Sequence, residues 1–213
     1  MFKHETQVIK FLLQWYSVNA RNLPWRKKNN LNLPHPYFVF VSEYMLQQTT
    51  VNTVKNKFNE FILKWPSLNK LAQTSEPNIL KFWSGLGYYS RARNLLKSAK
   101  IIKNNFKNKI PETYDELIQL PGIGDYTAKA ILGIGYNKSV MPLDANIERI
   151  LVRLHAIDKP INKVKNKLKD LGNKFISDKY SSNLIQSFMD YGSEICLPPV
   201  SYTHLRAHET ELD

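Results

Sequence analysis

Apolar positions recur at three- and four-residue spacing along almost the whole chain, the period of helices that bury one face. Val8, Ile9, Leu12, Leu13, Trp15 and Tyr16 mark such a face over 6–19, and Val41, Met45, Val54, Phe58, Phe61 and Ile62 carry the same pattern through 38–64. Ser67 and Ser75 stand where N-caps of two further helices belong, and Gly85-Leu86-Gly87 stops the second. Leu95, Leu96, Ala99, Ile102 and Phe106 define a helix within 88–106, and Thr113 with Glu116 forms a capping box ahead of another. Helices over 126–134, 145–156, 162–178 and 182–191 complete the set, and no stretch alternates as a strand does. The pattern predicts an all-α protein of two helical lobes, one over 20–135 and the other made by 1–19 with 136–196. A cleft between the lobes brings together residues distant in sequence.

One segment departs from simple amphipathic helix. In Leu117-Ile118-Gln119-Leu120-Pro121-Gly122-Ile123-Gly124-Asp125-Tyr126-Thr127-Ala128 a short helix ends at Leu120 and the glycines permit a tight hairpin. Asp125 is placed to cap the next helix. Bare amides converging at a helix start suit a phosphate oxygen and carry no base information. Taken by itself, Pro-Gly-x-Gly also fits an ordinary corner between helices.

Composition narrows the choice. A chain of 213 residues with 43% hydrophobic content can bury a core. It has no run of about 18 apolar residues and no signal-peptide pattern at its start, so it is expected to be soluble, without a membrane partner, and cytoplasmic. Thirty Lys+Arg against 18 Asp+Glu give +12, a field that favours a polyanionic partner. The excess is mostly lysine with much asparagine, which an AT-rich genome would also produce. The single cysteine rules out a disulfide framework within the chain.

Six motifs follow one another in an order that resembles the adenine DNA glycosylases, a branch of the helix-hairpin-helix DNA glycosylases. They are Leu23-Pro24-Trp25-Arg26, Ser42 through Thr49, Trp83 through Asn94, the hairpin at 120–128, Asp144 through Arg149, and Gln186 through Gly192. The resemblance covers about residues 5–196. It implies a two-lobed helix-hairpin-helix fold with the active site in the cleft, and removal of adenine mispaired with 8-oxoguanine or guanine. The implied partner is double-stranded DNA containing the mispair, met by a monomer associated with a bacterial nucleoid.

The residues themselves fit that chemistry. Breaking an N-glycosidic bond needs an acid for the departing purine and an anion beside an oxocarbenium-like sugar. Glu43 lies between Phe38-Val39-Phe40-Val41 and Met45-Leu46, so a poorly solvated wall can keep it protonated. Asp144 opens a helix, where amide dipoles favour the ionised form. Read without the other motifs, Glu43 is a solvated helix residue and Asp144 only an N-cap. At position 126, relatives resembling endonuclease III carry a lysine that attacks the sugar; tyrosine here implies simple base removal, with Tyr126 and Asn146 orienting Asp144 or the water. Lys129, one turn on, reads as solvated or phosphate-facing.

Reaching the bond requires flipping the base and filling the gap. Gln47-Gln48-Thr49 and Leu86-Gly87-Tyr88 are the wedge candidates, with Leu86 or Tyr88 alternatively in the core. With Gly122, Ile123, Gly124, Tyr126 and Thr127 of the hairpin they make the expected DNA-contacting set. By resemblance, Arg21, Trp25, Arg26, Leu46 and Gln186 line the adenine pocket. Arg91 and Arg93 read as phosphate or structural arginines, and Lys27 to Asn32 as a solvated loop.

The C-terminal region departs from the resemblance. Family members carry four cysteines that hold a [4Fe–4S] cluster, whereas Cys196 is the one cluster-type ligand here, so no cofactor is expected in this chain. Residues 197–213 match nothing in the family and read as a foreign tail on a truncated chain. Two rival functions remain: a thymine or uracil mismatch glycosylase of the same fold, and a catalytically impaired DNA-binding fragment.

Overall fold

A computed structural model of the chain describes residues 3–26 and 33–197; the loop expected at Lys27 to Asn32 and the tail from 198 onward lie outside the described residues. The architecture is all-helical, with no strand among the described residues. Helix α1 spans Lys3–Asn19, and Pro24–Arg26 form a single 3₁₀ turn. Helix α2, Pro36–Leu46, starts on a proline with His35 Nδ1 accepting from the Tyr37 amide at 3.2 Å. Helix α3 is Val51–Lys64.

The pattern over 38–64 is therefore two helices rather than one. Residues 47–50 supply no apolar side chain to bury, and the Thr50 side chain caps α3 by accepting from the Thr53 amide at 3.4 Å. Gln48 turns the corner with φ of +55°.

The short helices α4, Leu68–Ala72, and α5, Glu76–Phe82, follow; Ser67 caps the first through its side chain, while Ser75 occupies the cap position of the second without doing so. Helix α6, Ser90–Asn105, packs on both. Helix α7, Tyr114–Ile118, begins at the expected Thr113–Glu116 box, the Thr113 hydroxyl accepting from the Glu116 amide. Helix α8 is Asp125–Ala130 and passes directly into a π-helical turn, Ile131–Gly135, so the helix expected over 126–134 changes its winding midway. Every residue of that turn is buried, and it packs against α2, α8 and the last helix. Helices α9, Ala145–Leu154, α10, Ile161–Asn173, and α11, Ser181–Glu194, close the chain.

Contacts sort the helices into two sets. Helices α2 to α6 pack among themselves, and α7 packs on α8, while α1, α9 and α10 gather around α11 and one another. The π turn touches both sets. One buried apolar cluster runs through all of it, from Phe40, Phe58 and Trp83 to Phe175 and Phe188.

Helix α11 reaches the N-terminal end of α9 only because residue 192 lacks a side chain. A Cβ there would sit 2.6 Å from Asn146 Cβ and 3.1 Å from its backbone, closer than packed atoms approach. Alanine is a better helix former than glycine by about 1 kcal/mol, but the clash is with a Cβ and a backbone rather than a flexible tip. Gly192→Ala is expected to lower stability by about 1–3 kcal/mol, read by thermal unfolding, instead of raising it as an unobstructed helical glycine would.

Candidate active site

Between the two sets lies a cleft of about 570 Å³. Its lining includes Glu43, Tyr126, Asp144 and Asn146 together with Arg21, Trp25, Arg26, Leu46, Gln186, Gln47, Gln48 and Thr49. Residues far apart in the chain, such as Arg21 and Gln186, thus meet at one place. Leu23, Val39, Ser42, Val51, Ile134, Ala145, Met189 and Ser193 complete the wall, and none of them was named for the site from the sequence.

Glu43 comes from the buried face of α2, with neighbours Val39, Phe40, Tyr44 and Met45 all in the core. Desolvation is the main reason its carboxyl is pushed up to about 8; the nearby Asp144 charge adds to the rise and a hydrogen bond from Tyr126 opposes it. The Tyr126 phenol is itself raised well above its ordinary value, first by burial and then by the two carboxylates. Tyr126 therefore stays a neutral donor to Glu43.

Asp144 is both cap and cleft residue. Its Oδ1 accepts from the Ile147 amide at 2.8 Å and its Oδ2 from Asn146 Nδ2 at 2.9 Å. The helix start was expected to favour its ionised form outright. Burial instead raises its carboxyl overall, while the Ile147 and Asn146 hydrogen bonds and the Arg149 charge pull the other way. Arg149 is a supporting residue that sequence reasoning missed. Its Nη2 donates to Asn146 Oδ1 at 2.8 Å and to the Gly192 carbonyl, and its Nε donates to the Cys196 carbonyl at 2.6 Å. Asn146 is thereby held with its amide nitrogen toward Asp144.

The pocket wall rests on Asp190, whose side chain is fully buried. Arg21 donates to it from its amide at 3.0 Å and its Nε at 2.5 Å, and Arg26 through both Nη atoms at 2.6 and 2.8 Å. Burial alone would raise the Asp190 carboxyl; the hydrogen bond and charge of Arg26, joined by those of Arg21, hold it below the usual range. The arginines expected to line the adenine pocket thus both direct donors onto Asp190. A sequence signal for Asp190 did exist: an acid inside the apolar run Leu184, Ile185, Phe188, Met189 must be paired if it is buried. Gln186, one turn earlier, donates to the Ser182 carbonyl at 3.0 Å and leaves its buried Oε1 without a partner. Trp25 packs edge-on to Phe58 at 5.5 Å and is buried apart from its contribution to the cleft.

The hairpin lies on the surface beside the cleft. Gly122, with φ of +82°, is hemmed in by Asn94 and Tyr44, each 3.0 Å from where a Cβ would be. The Tyr44 hydroxyl donates to the Pro121 carbonyl at 2.5 Å and Gln47 Nε2 to the Gly122 carbonyl at 3.1 Å, which ties the hairpin to α2. Gly122 and Gly124 are exposed, but Ile123 and Thr127 are buried, so their side chains are not surface contacts. Gly124, not Asp125, is the N-cap of α8. The Asp125 carboxylate accepts from the Tyr114 hydroxyl and pairs with Lys129 at 2.9 Å, which also removes Lys129 from the cleft. Of the second wedge candidate, Leu86 is buried in the core, Gly87 is exposed, and Tyr88 projects with 62% exposure. Arg91 is buried and structural, while Arg93 pairs with Glu76 on the surface.

The residues do not fit a four-thiolate cluster, because the chain contains one cysteine. Cys196 Sγ accepts from Arg153 Nη1 at 3.0 Å.

An all-helical, two-lobed protein with a hairpin beside a carboxylate-bearing cleft defines a class, and the comparisons agree. Residues 41–174 match the HhH-GPD superfamily of base excision DNA repair proteins, and the chain belongs to that family. It is 41% identical over 192 residues to the adenine DNA glycosylase of Buchnera aphidicola subsp. Schizaphis graminum, covering 89% of this chain and 54% of that protein. The human adenine DNA glycosylase is 36% identical over 207 residues, 93% of this chain and 38% of its own length. The chain spans about half the length of the bacterial relatives it matches. Among solved structures, a thermostable thymine-DNA glycosylase superposes with a TM-score of 0.80 at 23% identity, over 92% of this chain and 89% of that one. A trapped endonuclease III–DNA covalent intermediate does so with 0.73 at 17%, over 94% and 91%. These two neighbours share the fold.

Burial of Glu43 has a consequence for stability. Unfolded, it ionises near 4.5; folded, it keeps its proton to about 8. The stability tied to this proton is complete below about pH 4.5 and is lost as pH rises toward 8. At pH 8, Glu43→Gln is expected to be more stable than the parent by about 2–4 kcal/mol, since each tenfold change in proton affinity between the folded and unfolded chain is worth about 1.4 kcal/mol. The gain should vanish near pH 4.5. Thermal melts across pH 4.5–8.5 check this, and a gain independent of pH would contradict the burial argument.

Proposed function

We propose that the chain carries the catalytic region of an adenine DNA glycosylase that removes adenine mispaired with 8-oxoguanine or guanine and does not cut the backbone. The observation that carries this reading is the pair of carboxyls in one cleft with opposed surroundings, Glu43 kept protonated by burial and Asp144 supplied with hydrogen bonds that favour its charge. Its relatives at 36–43% identity, named adenine DNA glycosylases, support the choice of base.

In this mechanism the flipped adenine enters between Trp25, Leu46 and Gln186. The free Oε1 of Gln186 accepts from the exocyclic amine, a contact that guanine, with a carbonyl there, cannot make. Glu43 donates its proton to a ring nitrogen as the N-glycosidic bond lengthens. Asp144, held by Asn146 and the Ile147 amide, faces the developing oxocarbenium ion, and water completes the exchange. No lysine of the described residues lines the cleft, so no amine is in place to form a covalent sugar adduct. The exposed glycines of the hairpin grip a phosphate, and the monomer meets double-stranded DNA through this face in the compartment that holds the genome. The lobes divide at 20–135 against 1–19 with 136–196.

Single-turnover excision on duplexes carrying A:8-oxoguanine, A:G and T:G tests the reading, with adenine expected to be released and thymine not. Excision of thymine but not adenine would favour the mismatch-glycosylase alternative. Glu43→Gln should lower adenine release by about 10³-fold, at the upper part of what a positioned acid contributes, while duplex binding persists. Near-normal release by that variant sinks the assignment.

The pH profile and the product make a further prediction. Because the acid must be protonated, release should decline as pH rises through about 8, and the decline should be absent from the residual activity of Glu43→Gln. The product strand should break only after alkali, and borohydride should trap no adduct.

A further inference from the structure

Arg91 does not line the cleft, yet it reaches residues 47–49, which do, and the neighbouring 86–88 loop. From α6 its guanidinium enters the gap between residues 44–49 and 86–88. Nη1 donates to the carbonyls of Tyr44 at 3.2 Å, Met45 at 2.7 Å and Gln47. Nη2 donates to the carbonyls of Leu86 at 2.7 Å and Gly87 at 3.1 Å, and to Thr49 Oγ1 at 2.9 Å. The same guanidinium lies over the rings of Trp83 and Tyr88, 5.6 and 5.7 Å from their centres. Thr49 Oγ1 closes the bridge by donating to the Leu86 carbonyl at 3.3 Å. The residue is only 5% exposed.

The two loops share a further property. Each contains an exposed non-glycine residue in the left-handed region, Gln48 at φ of +55° and Tyr88 at +45°. Such conformations persist where the surroundings over-determine them. Here what the loops have in common is the planar fork of one arginine.

We propose that Arg91 is a positioning residue that straps the 47–49 and 86–88 loops together, so that Gln48 and Tyr88 stand as a preformed two-pronged wedge for opening the duplex. The inference rests on the proposed base-flipping function, but the strap itself is testable without activity. A rigid wedge avoids ordering two loops at the moment of flipping, which would otherwise draw on binding energy. Lysine cannot replace it, since one ammonium offers its donors from a point instead of a fork spanning two loops.

Arg91→Lys is the test. Amide hydrogen exchange at 47–49 and 86–88 should rise together by about tenfold while α10 and α11 stay unchanged, because a strap couples its two ends. On a duplex with 2-aminopurine as the target opposite 8-oxoguanine, the fluorescence rise that reports unstacking should slow by about tenfold. Adenine release from A:8-oxoguanine should fall by a similar factor, but release from a duplex placing the same adenine opposite an abasic site should stay within about threefold of the parent, because that base is already weakly stacked. A merely structural arginine would lower both alike. Should Arg91→Lys not fold, Thr49→Val removes the bridging hydroxyl, and amide exchange in 47–49 and 86–88 should still rise together by a smaller factor. Exchange that rises in one loop only or in neither, or equal losses on the two duplexes, overturns the proposal. A parent protein inactive on both duplexes would sink the adenine reading alone, because loop exchange and 2-aminopurine unstacking still decide what Arg91 does.

Discussion

The buried carboxylate of Asp190 ties the two ends of the chain together. Arg21 and Arg26 precede it by 169 and 164 residues, and both direct their donors onto it in the protein interior. A lone buried carboxylate is expensive, and removing one member of such a set commonly costs about 3–5 kcal/mol because a charge is left uncompensated. The arrangement therefore specifies a geometry more than it adds stability. It fixes the segment carrying Leu23, Trp25 and Arg26 against α11, and with it one wall of the cleft. Gln186, which lines the cleft, is held on the same helix and so is registered to the same anchor.

The opposite wall is defined by what water cannot reach. Glu43 sits on a helix whose other residues are almost all core, and among the described residues no cation compensates its charge. Asp144 is placed within its influence, yet is provided with two hydrogen bonds and an arginine acting through Asn146. Two carboxyls in a shared apolar cleft cannot both be comfortable as anions, so a difference in their hydrogen bonding decides which one keeps the proton. Tyr126 cannot resolve the competition by ionising, since its own phenol is held neutral. Substitution of a lysine there would place a cation beside both groups and erase the division of labour.

Much of this was legible in the chain. Helical periodicity gave the elements because each helix buries one face, and cleft residues were found because acids set among apolar neighbours are costly without a function. Glu43, Asp144, Tyr126 and Asn146 meet as the motifs implied. The failures have physical causes. The break at 47–50 rests on a single Thr50 cap within an otherwise continuous apolar pattern, and periodicity is insensitive to a four-residue interruption that keeps its phase. Asp125 lost the cap position because Tyr114 and Lys129 offered its carboxylate better partners. Thr127, Ile123 and Leu86 face the core, a distinction of orientation that motif order does not encode. Asp190, Arg149 and Arg91 act across long sequence separations, and only the fold shows what they touch.

A protein with a formal charge of +12 nevertheless lines its cleft with carboxyls, and that combination is coherent. Attraction to a polyanion acts over about a Debye length and depends on the exposed lysines, whereas the cleft chemistry depends on groups shielded from that field by burial. The two requirements are met at different depths: Gly122 and Gly124 are exposed on the surface hairpin, whereas Glu43 is buried and Asp144 partly buried in the cleft. The hairpin is fastened to α2 and the residue just after it, through Tyr44 and Gln47, and α2 carries Glu43. In the proposed function, a phosphate held at the hairpin is thus registered to Glu43 through α2. On that reading, a contact blind to sequence delivers a particular bond to the acid proposed to act on it.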